Sequence, residues 1–114
     1  MGFLQDLEDL QQQAHAAQAH QVLVRLAAER VRAGELMAGG RAGTARIDAR
    51  RDTGLTVNDD PSMEFDLLVT LDGETPYTVT HRQVVSRLAL SSLEPGATVA
   101  VRVDPADRSA VLIA

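Results

Sequence analysis

The residues that come closest to a catalytic set lie around His81. A hydrolase combines a nucleophile with a base that activates it, and His81 follows Thr80 and precedes Ser86 by five positions. If Tyr77 and Val79 face the interior of a barrel, the period of two places His81 on the same face near the barrel end. We therefore interpret His81 as a core or rim histidine and expect no catalytic residues, so that the protein is not an enzyme.

No group of side chains has the spacing of a metal site or a cofactor site. His15 and His20 are five residues apart and do not share a helical face, as an i, i+4 metal-binding pair would. Asp59-Asp60 and Asp104–Asp107 each adjoin a proline in a turn and lack the spacing of a calcium-binding loop. There is no phosphate-binding loop and no dinucleotide fingerprint. We expect no metal and no cofactor.

Arginine supplies the strongest candidate for a binding surface. All eleven cations of the chain are arginine. Several are expected on the outer face of the first strand or around a short helical segment, where they could converge on an acidic partner or a nucleic acid. The candidate partner-binding residues are Arg46, Arg50, Arg51, Arg82 and Arg87.

The overall charge makes nucleic-acid binding the less favoured use of these arginines. The net charge is -5. Residues 1–40 carry three arginines against five acids, and the remainder carries eight against eleven. Because general affinity for nucleic acid comes from neutralising phosphates, neither half fits that role. The chain has no cysteine, which excludes disulfides, and no apolar run approaches the length of a membrane span.

The first 40 residues have the composition and spacing of a long α-helix. Leu, Gln, Ala, Glu and Arg dominate from Phe3 to about Ala33, without proline or internal glycine. We expect Gly34 to cap this helix and Gly39-Gly40 to form a joint. Apolar residues recur at the alternating intervals of four and three that define a coiled-coil seam, interrupted by Gln21. The predicted oligomer interface is Phe3, Leu7, Leu10, Ala14, Ala17, Val24, Ala28 and Val31.

After Gln21 the predicted helix is apolar on a second face as well, which includes Val22, Leu23, Leu26 and Ala27. A helix with two apolar stripes requires burial on two sides. One interpretation is that residues 22–33 pack against both a partner helix and the barrel, which makes the protein a homo-oligomer. The alternative is a monomer in which the helix folds back on its own barrel.

From Thr44 onward the hydrophobic period changes to two, which predicts strands. A bulge is expected at Thr53-Gly54, and a turn at Asn58–Pro61. The strand pattern then occupies Met63–Leu71, Pro76–His81, Val99–Val103 and Ala110–Ala114, with a short helix over Arg82–Leu93. This order is that of the OB-fold, a five-stranded barrel with a helix between strands three and four. An SH3-like barrel is the alternative if Arg82–Leu93 is a loop.

The hairpin at Asp72-Gly73 can be predicted to the level of its register. A two-residue loop would turn Val79 outward, whereas a three-residue loop through Glu74 places Tyr77 and Val79 on the buried face of the preceding strand. Because register follows the buried face, we predict the three-residue loop.

The stretch Gly43–Ala114 resembles a group of small β-barrel domains of unknown function found in actinobacterial proteins. The likeness rests on the following segments: Gly43-Thr44-Ala45, Thr53-Gly54, Val57–Pro61, Tyr77–Arg82, Leu93–Gly96 and Val99–Pro105. The resemblance implies an OB-like barrel and transfers no catalytic residues.

These observations divide the chain into a helical arm, residues 1–40, and a β-barrel domain, residues 41–114, in an α+β protein. We expect a cytoplasmic, non-catalytic assembly or protein-interaction module, in which the arm oligomerises and the barrel presents a surface to a protein partner. Two alternatives remain: an OB-type binder of single-stranded nucleic acid, and a small-ligand or enzyme-accessory subunit.

Overall fold

In the computed structural model, backbone is described for residues 2–114 and side chains for residues 20–114. An N-terminal helix is followed by five strands that form a nearly closed antiparallel barrel. The elements are α1 (Gly2–Gly39), β1 (Arg41–Val57), β2 (Asp60–Thr70), β3 (Tyr77–Val84), the 3-10 helix η1 (Arg87–Ser92), β4 (Thr98–Asp104) and β5 (Asp107–Ile113). The predicted fold class is confirmed, including a short helix between the third and fourth strands.

The chain divides into two compact units, Met1–Arg32 and Ala33–Ala114. The second unit therefore contains the last turns of α1 together with the strands. Leu36 is buried within it, with 4% of its surface exposed. The predicted cap at Gly34 is wrong, because α1 continues through Gly34 to Gly39. An internal glycine costs a helix about 1 kcal/mol, whereas burying one leucine contributes about 2 kcal/mol, so the burial of Leu36 outweighs it.

The strands are ordered β3-β2-β1-β4-β5 across the sheet, and each neighbouring pair is antiparallel. The long strand β1 pairs with β2 on one side and β4 on the other. Its register against β2 shifts between Ile47 and Ala49 and again between Asp52 and Thr56. Gly54 lies within the second shift with a φ of 84°, so the predicted bulge at Thr53-Gly54 is confirmed. These irregularities let β1 bend between its two neighbours.

Two hairpins flank β2, one joining it to β1 and the other joining it to β3. Asn58 and Asp59 both have positive φ, which makes a tight two-residue turn and starts β2 at Asp60. At the other hairpin, Leu67 pairs with Val79 and Val69 with Tyr77, so the predicted register is confirmed.

The third strand is longer than predicted and the following helix is shorter. Because β2 begins at Asp60, it offers partners to Gln83 and Val84, and β3 continues beyond His81 to Val84. The predicted helix over Arg82–Leu93 is correspondingly reduced to η1. The hydroxyl of Ser86 caps η1 by accepting a hydrogen bond from the Leu88 backbone N–H.

Inward-facing side chains of the strands form one core, and among the side chains of residues 20–114 Phe65 is the only aromatic ring that is fully buried. The buried cluster consists of Ala45, Ile47, Met63, Phe65, Leu67, Val69, Leu71, Val85, Leu93, Val101, Val103, Val111 and Ile113. Gly43 fits closely beside it, because a Cβ at that position would lie 2.6 Å from Leu71 Cδ2 and 2.9 Å from the Thr70 carbonyl oxygen.

Candidate functional site

A network of ion pairs covers the outer face where β1, β2 and β3 lie side by side. The Arg51 guanidinium donates to both carboxylate oxygens of Asp66, at 2.9 and 3.1 Å, and to Glu64 Oε1 at 2.8 Å. Arg82 donates to the other oxygen of Glu64 at 3.3 Å, and the Thr80 hydroxyl donates to Asp66 at 3.1 Å. Two arginines and two carboxylates thus neutralise one another on this face.

The electrostatics of the network follow from these hydrogen bonds. Donation from Arg51 is the largest cause that lowers the pKa of Glu64, and Arg82 adds to the effect. Arg51 and then Thr80 lower the pKa of Asp66 in the same way, while the two carboxylates raise the pKa of Arg51. Arg51, Glu64 and Asp66 therefore hold their charges at neutral pH.

The structure does not bring the five predicted arginines to one site. Arg51 and Arg82 meet through Glu64, as described. Arg50 instead donates to the carbonyl oxygens of Leu90 and Leu93, at 2.6 and 3.2 Å, and to Glu94 at 3.1 Å. It thereby anchors the end of η1 to β1.

The other two predicted arginines also have partners nearby. Arg46 pairs with Asp48, two residues along β1, at 2.7 Å. The Arg87 side chain donates to the Asp59 carbonyl oxygen and holds η1 against the β1–β2 turn. Sequence reasoning placed these arginines on the barrel surface but missed the carboxylates and carbonyls that bind them.

Several of the hydroxyls and carboxylates considered for chemistry have partners in the local structure. Thr80 binds Asp66, and Ser86 caps η1. Asp104 Oδ1 accepts a hydrogen bond from the Ala106 backbone N–H at 2.8 Å, which stabilises the β4–β5 turn. Within residues 20–114, no group of three or more His, Asp or Glu side chains could hold a metal ion.

His81 belongs to a small polar cluster at the seam between β3 and β5, the two strands at the ends of the sheet. The Gln83 side-chain amide bonds to both backbone groups of Ile113: its Oε1 accepts from the N–H at 2.9 Å, and its Nε2 donates to the carbonyl at 3.0 Å. His81 Nε2 lies 2.7 Å from the same Gln83 oxygen. Gln83 therefore replaces a rung of backbone hydrogen bonds between the two strands.

A second contact joins β3 and β5 at the other end of this seam. The Tyr77 hydroxyl donates to the Arg108 carbonyl oxygen at 2.8 Å, and the Arg108 guanidinium stacks 4.3 Å from the centre of the Tyr77 ring. Partial burial raises the pKa of Tyr77, which keeps the hydroxyl protonated and able to donate. Because Tyr77 meets Arg108 while Gln83 meets Ile113, β3 and β5 run in parallel along the seam.

The remaining candidate surface is the predicted coiled-coil seam of α1. Of its residues, Phe3, Leu7, Leu10, Ala14 and Ala17 lie outside the described side chains. Val24, Ala28 and Val31 are described, and all three are exposed; Val24 exposes 54% of its surface and Val31 64%. Leu23 and Ala27 beside them are exposed as well, whereas Val22 and Leu26 are partly buried.

No family model matches the chain, and no curated protein or solved structure matches it. The resemblance of Gly43–Ala114 to actinobacterial barrel domains thus stays an expectation from the sequence. No helix among the described residues is long and apolar enough to span a membrane.

Proposed function

We propose that this protein is a non-catalytic assembly module. In this proposal the helical arm joins copies of the chain, and the barrel of each copy is the part that meets a protein partner. The observation that carries it is the exposed apolar strip Leu23, Val24, Ala27, Ala28 and Val31, defined here as the arm strip. Large apolar side chains that share one face of a helix are stabilised when another surface covers them.

The occupant we propose for the arm strip is a second copy of the same helix. Three of its residues continue the intervals of four and three that begin at Phe3, and that spacing is the pattern by which one helix packs against another. At 38 residues, α1 is about 57 Å long, well beyond the typical helix of a globular protein. Helices of that length are stabilised mainly by packing of an apolar face.

The arginines give less support to the nucleic-acid alternative. Each of the five candidates is bound to a carboxylate or a carbonyl oxygen of the barrel itself, so phosphates would have to displace those partners. The aromatic rings that stack on single-stranded bases are also few, since Tyr77 is the only tyrosine and the chain has no tryptophan.

Sedimentation velocity of the full chain tests the proposal. We expect a mass above that of one chain at micromolar concentrations, and dissociation in the double variant Val24→Glu/Val31→Glu. Each buried valine contributes roughly 1.5 kcal/mol, so losing four of them from a dimer weakens association by about four orders of magnitude.

Leu88→Glu is the matched control, because Leu88 on η1 is 93% exposed and lies outside the arm strip. It should leave the mass unchanged. A native chain that sediments as a monomer throughout this concentration range would refute the proposal. Equal loss of mass in the control and the double variant would also contradict it.

A further inference from the structure

We infer that the arms assemble as a bundle of four helices, in which each α1 packs against two neighbouring copies rather than one. This inference rests on the proposed function and adds to it the number of chains that meet. It follows from the angles at which the exposed side chains of the arm strip project from the helix. All of these residues lie in the part of α1 whose side chains the structure describes.

The arm strip is too wide to be covered by one neighbouring helix. At about 100° per residue, Ala27 projects at about 40° and Val24 at about 100° from the direction of Leu23 around the helix axis. On the same scale Val31 projects at about 80° and Ala28 at about 140°. The strip therefore spans about 140°, whereas two paired helices of a coiled coil cover only the narrower stripe formed by the seam positions.

Leu23 requires the second neighbour, because it is the large side chain of the strip that lies farthest from the coiled-coil seam. The seam residues Val24, Ala28 and Val31 project on average at about 107° from Leu23. A helix packed on the seam therefore leaves Leu23 in water, where 65% of its surface is exposed. A further helix on the side of Leu23 and Ala27 removes this apolar surface from water, and that burial stabilises the assembly.

The charged residues of this part of α1 fit the same arrangement. The middle of the arm strip lies about 70° from Leu23, and Arg25 and Glu29 project about 130° and 170° from that middle. They form an ion pair with each other at 3.8 Å, on the side that faces water when the strip is covered. Arg30 projects about 90° from the middle, where its long side chain reaches water at the edge of the contact. Four helices therefore bury the strip without burying these charges.

The angle between the two contacts sets the number of helices at four. Leu23 and Ala27 project on average at about 20°, and the seam residues at about 107°, so the two contacts are about 90° apart. The helix axes of a symmetric bundle stand at the corners of a regular polygon. Each helix therefore sees its two neighbours about 60° apart in a bundle of three and about 90° apart in a bundle of four.

The mass of the native full chain at sedimentation equilibrium tests the number. We expect four times the mass of one chain at micromolar concentrations. A dimer or a trimer would overturn the inference and leave assembly through the arm in place. A monomer would overturn the proposed function itself, so the two failures are distinguishable.

Leu23→Glu tests whether the second side of the strip is covered. A bundle of four buries four copies of Leu23, so the variant should dissociate at a concentration on the order of a hundredfold higher than the native chain or more. Leu88→Glu makes the same substitution at a leucine that is 93% exposed and lies outside the arm strip, and it should keep the native mass. A Leu23→Glu chain that keeps the mass of four chains as tightly as the native protein would overturn the inference, because Leu23 would then lie in water.

Discussion

Replacing Gln83 by methionine should destabilise the barrel by about 2 to 3 kcal/mol. Gln83 makes two hydrogen bonds to Ile113, at 2.9 and 3.0 Å, and each contributes about 1 kcal/mol net. Methionine is unbranched and close to glutamine in length, so the change removes the polar groups without opening a large cavity. It also leaves the two backbone groups of Ile113 without their partners in a residue that is only 8% exposed, and the desolvation of those groups adds to the loss.

Tyrosine fluorescence during urea unfolding measures this loss within the barrel. Tyr77 is the only tyrosine, there is no tryptophan, and the ring lies on β3 at the same seam. The fluorescence transition therefore reports on the barrel. A loss below about 0.5 kcal/mol would be that of an ordinary surface substitution and would refute the role given to Gln83.

Gln83→Glu separates the two hydrogen bonds in this prediction. The carboxylate still accepts from the Ile113 N–H but faces the Ile113 carbonyl oxygen without a proton to donate. The variant should be destabilised at pH 7 and recover relative to the native chain below about pH 4, where its carboxyl group is protonated and donates again. A pH-independent difference would show that the Ile113 carbonyl oxygen does not accept from residue 83.

Two further predictions concern Gly34 and the ion-pair network. Gly34→Ala should stabilise α1 by about 1 kcal/mol, because Gly34 lies inside the helix and an added Cβ would meet no atom within 4 Å beyond its chain neighbours and the adjacent helix backbone. Thermal unfolding followed by circular dichroism at the helix band measures the change. A loss of stability would indicate that Gly34 is a left-handed cap. For the network, the pKa values of Glu64 and Asp66 are lowered in the folded state, so their contribution to stability is present above the ordinary carboxyl pKa and is lost as pH falls through the lowered values. The urea midpoint of Arg51→Gln should therefore lie below that of the native chain at pH 7. The two midpoints should begin to converge below about pH 4 and meet once the pH is below the lowered pKa values of Glu64 and Asp66. A gap that stays constant through this acid range would contradict the assignment.

Local periodicity was enough to predict the strands and one register. The alternation from Met63 to Leu71 identifies the buried face of β2, and matching Tyr77 and Val79 to that face determines the pairing across the hairpin. Both inferences depend only on neighbouring segments of sequence. The end of β3 could not be found in this way, because it depends on where β2 begins, and that in turn follows from the positive φ of Asn58 and Asp59.

The carboxylate partner of Arg51 could not be predicted from the sequence, because the pairing of β1 with β2 is irregular. Glu64 alternates outward on β2, so a regular hairpin would have allowed its partner on β1 to be counted from the turn. The pairing shifts between Asp52 and Thr56, where four steps along β1 match two steps along β2. Without the size of that shift, the sequence cannot place Arg51 opposite Glu64. Gln83 was missed for a related reason, since its partner Ile113 is 30 residues away and no local pattern connects them.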